Sequence, residues 1–140
     1  KKKKQDWKIY VLMSDGELQE GSNWEALMFA AHHELDNLVA IIDYNNLQSL
    51  TTVDDTLNIQ PLNTKLDSFG WHVIEVDGHS HDAMSKCFED AKQVNNKPTV
   101  IIAKTTKGKG VSYMENKVEW HYKSPTEEEF HNAISEIENA

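Results

Sequence analysis

The sequence of 140 residues has the length of a single domain, and 39% of its residues are hydrophobic and 26% charged. Its net charge is −9 and all 14 basic residues are lysines. Proteins that bind nucleic acid present clustered basic side chains and usually arginine, so this composition argues against nucleic acid as a partner. We interpret the run Lys1–Lys4 as a solvated terminus rather than a nucleic-acid-binding arm. No apolar stretch approaches the roughly 20 residues of a membrane span, so no membrane partner is expected.

The sequence contains a single cysteine, Cys87, which excludes an internal disulfide. Such cysteine usage is typical of a reducing cytoplasm, and we expect a cytoplasmic protein. Cys87 lies in an amphipathic helical pattern, so we predict a buried thiol rather than a nucleophile. The sequence begins with Lys1 rather than methionine, which leaves open that it is a piece of a longer protein.

Short apolar segments alternate with helical patterns along the chain. Nearly continuous apolar segments are typical of parallel strands buried on both faces of a sheet. The predicted strands are Lys8–Met13, Leu38–Asp43, His72–Val76 and Pro98–Ala103. The predicted helices are one opened by a capping box Ser22-Asn23-Trp24-Glu25, one over Leu62–Phe69 that ends at Gly70, one that begins at Ser80 or His81, and one over Glu127–Glu138 capped by Thr126.

This alternation predicts an α/β fold with a mostly parallel sheet flanked by helices. Four strands make a small sheet, and at least one of its edges should be covered by something else. We therefore expect an incomplete domain.

The first two predicted strands both end in polar residues. Ser14-Asp15-Gly16-Glu17 follows the first strand, and Asp43-Tyr44-Asn45-Asn46-Leu47 follows the second. Ligands of open parallel sheets bind beyond the carboxyl ends of the strands. With one helix between them the two strands can be neighbours, so Asp15 and Asn45 could face one another.

The residue types at these strand ends suit a hard cation that also holds a phosphate ligand. Mg²⁺ prefers oxygen ligands, and Asp15 offers a carboxylate, Asn45 an amide oxygen and Leu47 a backbone carbonyl. Gly16 would let a diphosphate approach the backbone, and the N-terminus of the following helix would favour an anion. Asp-Gly and Asn-Asn are also ordinary turn sequences, so the residues alone leave a turn and a ligand site as alternatives.

Several motifs carry a resemblance to a known family. Ser14-Asp15-Gly16, followed after 28 residues by Asn45-Asn46, resembles the GDG…NN signature of thiamine-diphosphate enzymes, with serine for the first glycine. The stretch DGELQEGSNWEAL (Asp15–Leu27) resembles the transketolase form of that signature. Further segments resemble transketolase in the same order: KLDSFGWH (Lys65–His72), VDGH (Val76–His79), TKGKG (Thr106–Gly110) and Trp120-His121.

The resemblance implies a thiamine diphosphate-binding fold over residues 1–140, with thiamine diphosphate and Mg²⁺ or Ca²⁺ as cofactors. It implies that the metal is held by Asp15, Asn45 and the carbonyl of Leu47, and that Gly16 and Glu17 lie along the diphosphate. His121 and Glu20 are the candidate catalytic residues. His121 matches a histidine that reaches the diphosphate, although Tyr122 replaces the glycine usual after it, and Glu20, like Glu25, matches an acidic position near the subunit interface.

The function implied by the resemblance is two-carbon ketol transfer between sugar phosphates. The segments that carry the pyrimidine-binding domain and the sugar-phosphate arginines lie outside the matched region. We therefore expect an oligomer that needs another chain or segment for activity. Two alternatives stay open: a non-catalytic interaction or regulatory module that keeps the fold, and a thiamine enzyme similar to deoxyxylulose-phosphate synthase.

Two other motifs have simpler interpretations. Lys107-Gly108-Lys109-Gly110 lacks the spacing of a P-loop, so we predict a tight loop after a strand. His79 and His81 flank a helix start and are predicted to cap or line a turn rather than to bind a metal.

Overall fold

A computed structural model of the chain describes residues 6–139, so the interpretation of Lys1–Lys4 falls outside the described residues. The elements in chain order are β1 (Ile9–Ser14), a first 3-10 helix (Gly16–Gln19), α1 (Gly21–His32), β2 (Leu38–Tyr44), α2 (Val53–Leu57), α3 (Leu62–Ser68), β3 (His72–Asp77), α4 (His81–Gln93), β4 (Thr99–Lys104), a second 3-10 helix (Val118–His121) and α5 (Glu127–Glu138). Within this range, none of the helices has the length and apolar character needed to cross a membrane.

The four strands form one parallel sheet in the order β1-β2-β4-β3. This confirms the α/β prediction and the predicted pairing of the first two strands. In the register of β1 and β2, Ser14 lies opposite Asp43. The residues that follow these two strands therefore emerge side by side at the carboxyl edge of the sheet.

Helices cover both faces of the two central strands, β2 and β4. The larger cluster packs α1, α2 and α3 on one face, and in it the indole of the buried Trp71 donates to the carbonyl of Leu27 at 2.9 Å. The smaller cluster packs α4 on the other face through Cys87 and Ala91, against Val39 and Ile101. Because side chains alternate along a strand, Ala40 and Val39 reach opposite faces. Cys87 is buried, as predicted, and burial raises the pKa of its thiol.

The edge strand β1 keeps large apolar side chains exposed. Leu12 is 71% exposed, and Ile9, Tyr10 and Val11 are also exposed. Met28 and Phe29 of α1 add two more exposed apolar side chains. An uncovered apolar edge strand is a template for pairing with another chain, so this edge fits the expectation that something else should cover the sheet.

One local prediction needs correction, and one helix was missed. α1 begins at Gly21 with Glu20 as its N-cap, so Ser22 lies inside the helix and the predicted Ser22–Glu25 capping box is wrong. The physical reason is the first 3-10 helix, which turns the chain directly before α1 and brings Glu20 to the cap position. Helix α2 was not predicted, although Thr52 caps it by accepting from the N–H of Asp55. The predicted Thr126 cap is present, as a capping box with Glu129.

Candidate functional site

Asp15 is the fully buried residue at the end of β1. Its Oδ1 accepts from the N–H of Gly16 at 2.8 Å and its Oδ2 from the N–H of Asn46 at 2.5 Å. The N–H of Asp15 donates to the carbonyl of Asp43 at 3.2 Å. The carboxylate therefore joins the ends of β1 and β2, in agreement with the expectation that these two strands are neighbours.

The charge of Asp15 is only partly compensated. Burial raises the pKa of the Asp15 carboxyl, and the nearby charge of Asp43 adds to the rise, while the hydrogen bonds from Asn46 and Gly16 oppose it. The net effect is a pKa above the ordinary value. A cation beside Asp15 would offset this desolvation cost, because an opposite charge within a few ångströms favours the ionised form.

The two asparagines after β2 have different surroundings. Asn45 Oδ1 accepts from the N–H of Leu47 at 2.9 Å, and its Nδ2 donates to Asp43 at 3.3 Å. An amide oxygen has two lone pairs, so Asn45 Oδ1 retains capacity for one further ligand. Asn46 has φ 60° and donates through Nδ2 to Asp54 at 3.2 Å. Its Oδ1 is buried without a hydrogen-bond partner among the described residues.

The turn at Gly16 is narrow. A Cβ on Gly16 would lie 3.1 Å from Oε1 of Gln48, whose flexible side chain covers the turn. A diphosphate approaching Gly16 would have to displace that side chain or contact it. Sequence reasoning missed Gln48, since nothing in the pattern distinguishes it from the other polar residues of the loop after Leu47.

The segment after Asp15 differs from the expected anion site at a helix N-terminus. A 3-10 helix of 4 residues follows, and its first N–H groups already make hydrogen bonds. The N–H of Gly16 donates to the Asp15 carboxylate, and the N–H of Glu17 donates to the Ser14 hydroxyl at 3.3 Å. The Glu17 carboxylate accepts from the Ser14 N–H at 2.7 Å and from its hydroxyl at 3.1 Å. Glu17 therefore turns back onto β1, and the serine that replaces the usual glycine is the residue that holds it.

A second strand end adds a hydroxyl to the cluster. Thr105 directly follows β4, and its hydroxyl donates to the Asp43 carboxylate. The same carboxylate also accepts from the side-chain amide of Asn45. Because β2 and β4 are parallel neighbours, Tyr44 lies opposite Lys104 and brings these residues together. The sequence does not give the order of the strands, so Thr105 was not predicted.

The two candidate catalytic residues lie in different places. His121 is exposed at the end of the second 3-10 helix, where its ring packs edge-on against Tyr122 with centroids 4.7 Å apart. The Tyr122 hydroxyl donates to Ser49 at 2.9 Å, which places the His121 segment beside the loop that follows Leu47. Glu20 caps α1 through its backbone alone, and no hydrogen bond within residues 6–139 joins its exposed side chain to Asp15.

The Lys107–Gly110 loop and the turn at His79 are present as predicted, whereas His81 is the first residue of α4, which Ser80 caps. Lys107–Gly110 is a tight loop in which Gly108 and Gly110 have φ values of 75° and 92°. His79 lines the adjoining turn, and its Nε2 accepts from the N–H of Thr106 at 2.7 Å. No group of three or more histidine, cysteine or acidic side chains with metal-binding geometry occurs among the described residues.

The oxygen atoms near Asp15 therefore suit one kind of metal site. One carboxylate, one amide oxygen and backbone carbonyls can supply part of the oxygen shell of a hard divalent cation. Residues 6–139 contain no cluster of three or more acidic, histidine or cysteine side chains that could hold a metal, so the remaining ligands would come from a bound phosphate group or water. The residues present fit a metal that is bound together with a diphosphate.

Comparison with known proteins identifies the family. Residues 1–137 match the family model described as "Transketolase, thiamine diphosphate binding domain". The chain is 43% identical over 134 residues to a subunit of the apulose-4-phosphate transketolase of Phocaeicola vulgatus, a match that covers 96% of this chain and 48% of that protein. It is 45% identical over 120 residues to human transketolase, covering 86% of this chain and 19% of that protein.

A solved structure agrees with these matches. The transketolase of Campylobacter jejuni superposes on 95% of this chain with a TM-score of 0.89 and 35% identity, and the match covers 21% of that chain. The chain thus spans about half the length of the Phocaeicola vulgatus relative and a smaller share of the longer transketolases. The chain belongs to the transketolase thiamine diphosphate-binding domain family.

Proposed function

We propose that this chain is the diphosphate- and metal-binding part of a transketolase that transfers two-carbon ketol units between sugar phosphates in the cytoplasm. The observation that carries the proposal is the buried Asp15 carboxylate with a raised pKa, held between two strand ends next to Asn45. A buried, partly compensated anion at the carboxyl edge of a parallel sheet is suited to a divalent cation.

In this proposal Asp15, Asn45 and the carbonyl of Leu47 hold Mg²⁺ or Ca²⁺, and the diphosphate lies over Gly16. Glu17 supports the turn through Ser14 rather than facing the diphosphate with its own negative charge. His121 faces the diphosphate from the second 3-10 helix, and Glu20 acts at the contact between subunits. When bound, thiamine diphosphate supplies the electron sink that cleavage of a ketose carbon–carbon bond requires.

We further propose that a partner chain supplies the pyrimidine-binding side of the cofactor site. Two relatives are named as subunits of transketolases, one acting on apulose-4-phosphate and the other on 6-deoxy-6-sulfo-D-fructose. The exposed apolar edge at β1 supports an oligomer, because such a surface is stabilised by association. We propose sugar phosphates as the substrate class of this chain, as in the name of the first relative.

Calorimetric titration of thiamine diphosphate with and without Mg²⁺ tests the proposal. Wild-type chain is expected to bind only with Mg²⁺, and Asp15→Ala to bind at least about a hundredfold more weakly. Asp90→Ala, which removes an exposed carboxylate from α4, is the matched control and is expected to bind as wild type does. Circular dichroism verifies that each variant is folded.

The titration is repeated with a pyrimidine-domain partner if the chain alone does not bind. Binding that appears only with the partner, and that Asp15→Ala abolishes, supports the proposed site. Absence of binding in both cases would contradict it and favour a module that keeps the fold without the cofactor.

A further inference from the structure

One contact ties together two parts of the candidate site that are 73 residues apart in sequence. The Tyr122 hydroxyl donates to the Ser49 hydroxyl at 2.9 Å. No other hydrogen bond described between residues 6 and 139 joins the segment 118–123 to the loop 45–52. Tyr122 is 75% exposed, so the contact does not serve the hydrophobic core.

Each end of this contact is attached to a residue of the proposed site. Ser49 belongs to the loop after Leu47, which is closed by the Leu47–Thr52 bridge and by the bond from the Gln48 N–H to the Thr51 carbonyl at 3.0 Å. At the other end, the Tyr122 ring packs edge-on against the His121 ring at 4.7 Å. An edge-on pair of rings has a preferred orientation, so the placement of Tyr122 also orients His121.

We propose that Tyr122 is a positioning residue that holds the His121 ring in a fixed relation to the Leu47–Thr52 loop through Ser49. The hydroxyl fixes the distance between the two segments, and the ring fixes the orientation of the imidazole. This inference rests on the proposed function, since it gives the tyrosine a role only if His121 and Leu47 serve one cofactor. Among residues 6–139, no hydrogen bond or ring contact joins Tyr122 to Asp15, Asn45 or Leu47.

The test for the free chain is an NMR comparison of Tyr122→Phe and Ser49→Ala with wild type, with the His121 ring signals assigned from a His121→Gln variant. Ser49 is linked to His121 only through Tyr122 in the proposal, so Ser49→Ala is expected to shift the His121 ring signals as Tyr122→Phe does. The double variant is expected to add nothing beyond either single variant. Tyr10→Phe, which removes a hydroxyl from an exposed tyrosine on β1, is the control and should leave His121 unchanged.

Titration with thiamine diphosphate and Mg²⁺ provides the second readout. Tyr122→Phe is expected to bind about two- to tenfold more weakly, because fixing the His121 ring on binding then costs up to the free energy of one net hydrogen bond. An unmoved His121 signal in Ser49→Ala, or equal affinity of wild type and Tyr122→Phe, would overturn the positioning role. If the signals shift together but no form of the chain binds cofactor with or without a pyrimidine-domain partner, the coupling stands and the proposed function is what fails.

Discussion

The backbone N–H of Asn46 donates to Oδ2 of Asp15 at 2.5 Å, across 31 residues of sequence. Asn46 has φ 60°, a left-handed conformation that sets the course of the chain directly after this N–H. Few residue types adopt this conformation without strain, and asparagine and glycine are the common ones. The backbone shape at Asn46 and the fixed position of the Asp15 carboxylate are therefore one structural unit.

Substitution of Asn46 by a β-branched residue should damage this unit. Asn46→Val is expected to lower the free energy of unfolding by about 1–2 kcal/mol, because valine is strained at positive φ. Asn46→Gly adopts positive φ without strain, so it should be closer to wild type. Urea denaturation monitored by circular dichroism measures the difference.

Asn96 provides the matched control for Asn46, since it also has φ 60° but precedes β4 at the opposite end of the strands. Asn96→Val should lose similar stability while leaving the binding of thiamine diphosphate and Mg²⁺ unchanged, whereas Asn46→Val should weaken that binding as well. Equal binding by both valine variants would show that the left-handed conformation at Asn46 does not matter for the site.

The raised pKa of Asp15 predicts how cofactor binding depends on pH. The ionised carboxylate is the form that holds a cation, so affinity for Mg²⁺ and thiamine diphosphate should fall as the pH falls through the raised pKa. The loss begins at a higher pH than for an ordinary aspartate with a pKa of 3.8. It should not exceed about tenfold per pH unit for one proton.

The free chain should show the opposite trend in stability. A folded-state pKa above the unfolded value contributes stability that is present below pH 3.8 and is lost as the pH rises through the folded value. Asp15→Asn removes this titration, so the difference in unfolding free energy between wild type and Asp15→Asn should change across the same window. A difference that does not vary with pH would contradict the raised pKa.

The sequence contained enough to predict the sheet, because near-continuous apolar segments mark buried strands. It also placed Asp15 and Asn45 at adjacent strand ends, since one helix between two parallel strands brings them side by side. The apolar pattern does not show that β4 rather than β3 pairs with β2. The contact between Asp43 and Thr105 was therefore missed. Pair contacts of that kind depend on tertiary packing rather than on spacing.

The start of α1 shows a second limit of the sequence. Ser22 and Glu25 have the spacing of a capping box, but the 3-10 helix at Gly16–Gln19 moves the cap position to Glu20. A similar pair at the same spacing, Thr52 and Asp55, does lie at a helix start: the Thr52 hydroxyl accepts from the N–H of Asp55 and caps α2. Local signals of helix starts are therefore ambiguous when a turn of unknown geometry precedes them.

Gly78 is a position where only glycine fits. A Cβ there would lie 2.5 Å from Cγ2 of Thr105 and 3.2 Å from the carbonyl of Lys104. Gly78→Ala is therefore expected to lower the free energy of unfolding by about 1–3 kcal/mol, the usual cost of overpacking, and to displace Thr105 from Asp43. Gly21→Ala, where the added Cβ would have no atom of residues 6–139 within 4 Å, is the control and should not reduce stability. Thermal denaturation of both variants gives the comparison.

The exposed edge of β1 predicts how the isolated chain behaves at high concentration. Residues Ile9–Ser14 carry no charge, and Leu12 is 71% exposed on the edge strand. Uncharged apolar edge strands pair with other strands because their N–H and C=O groups are unsatisfied there. We expect the isolated chain to self-associate through this edge. Leu12→Lys should shift it toward the monomer, because a lysine on an edge strand disfavours pairing with another strand.

Light scattering coupled to size exclusion over a range of concentrations measures this association. Leu50→Lys is the matched control, since Leu50 is 87% exposed but lies in the loop after β2 rather than on the edge. It adds the same charge and should leave the association unchanged. If Leu50→Lys lowers the apparent mass as much as Leu12→Lys does, net charge rather than the β1 edge controls association. A monomeric wild-type chain at every concentration would contradict the prediction directly, because the apolar row of β1 would then be stable in water without a partner.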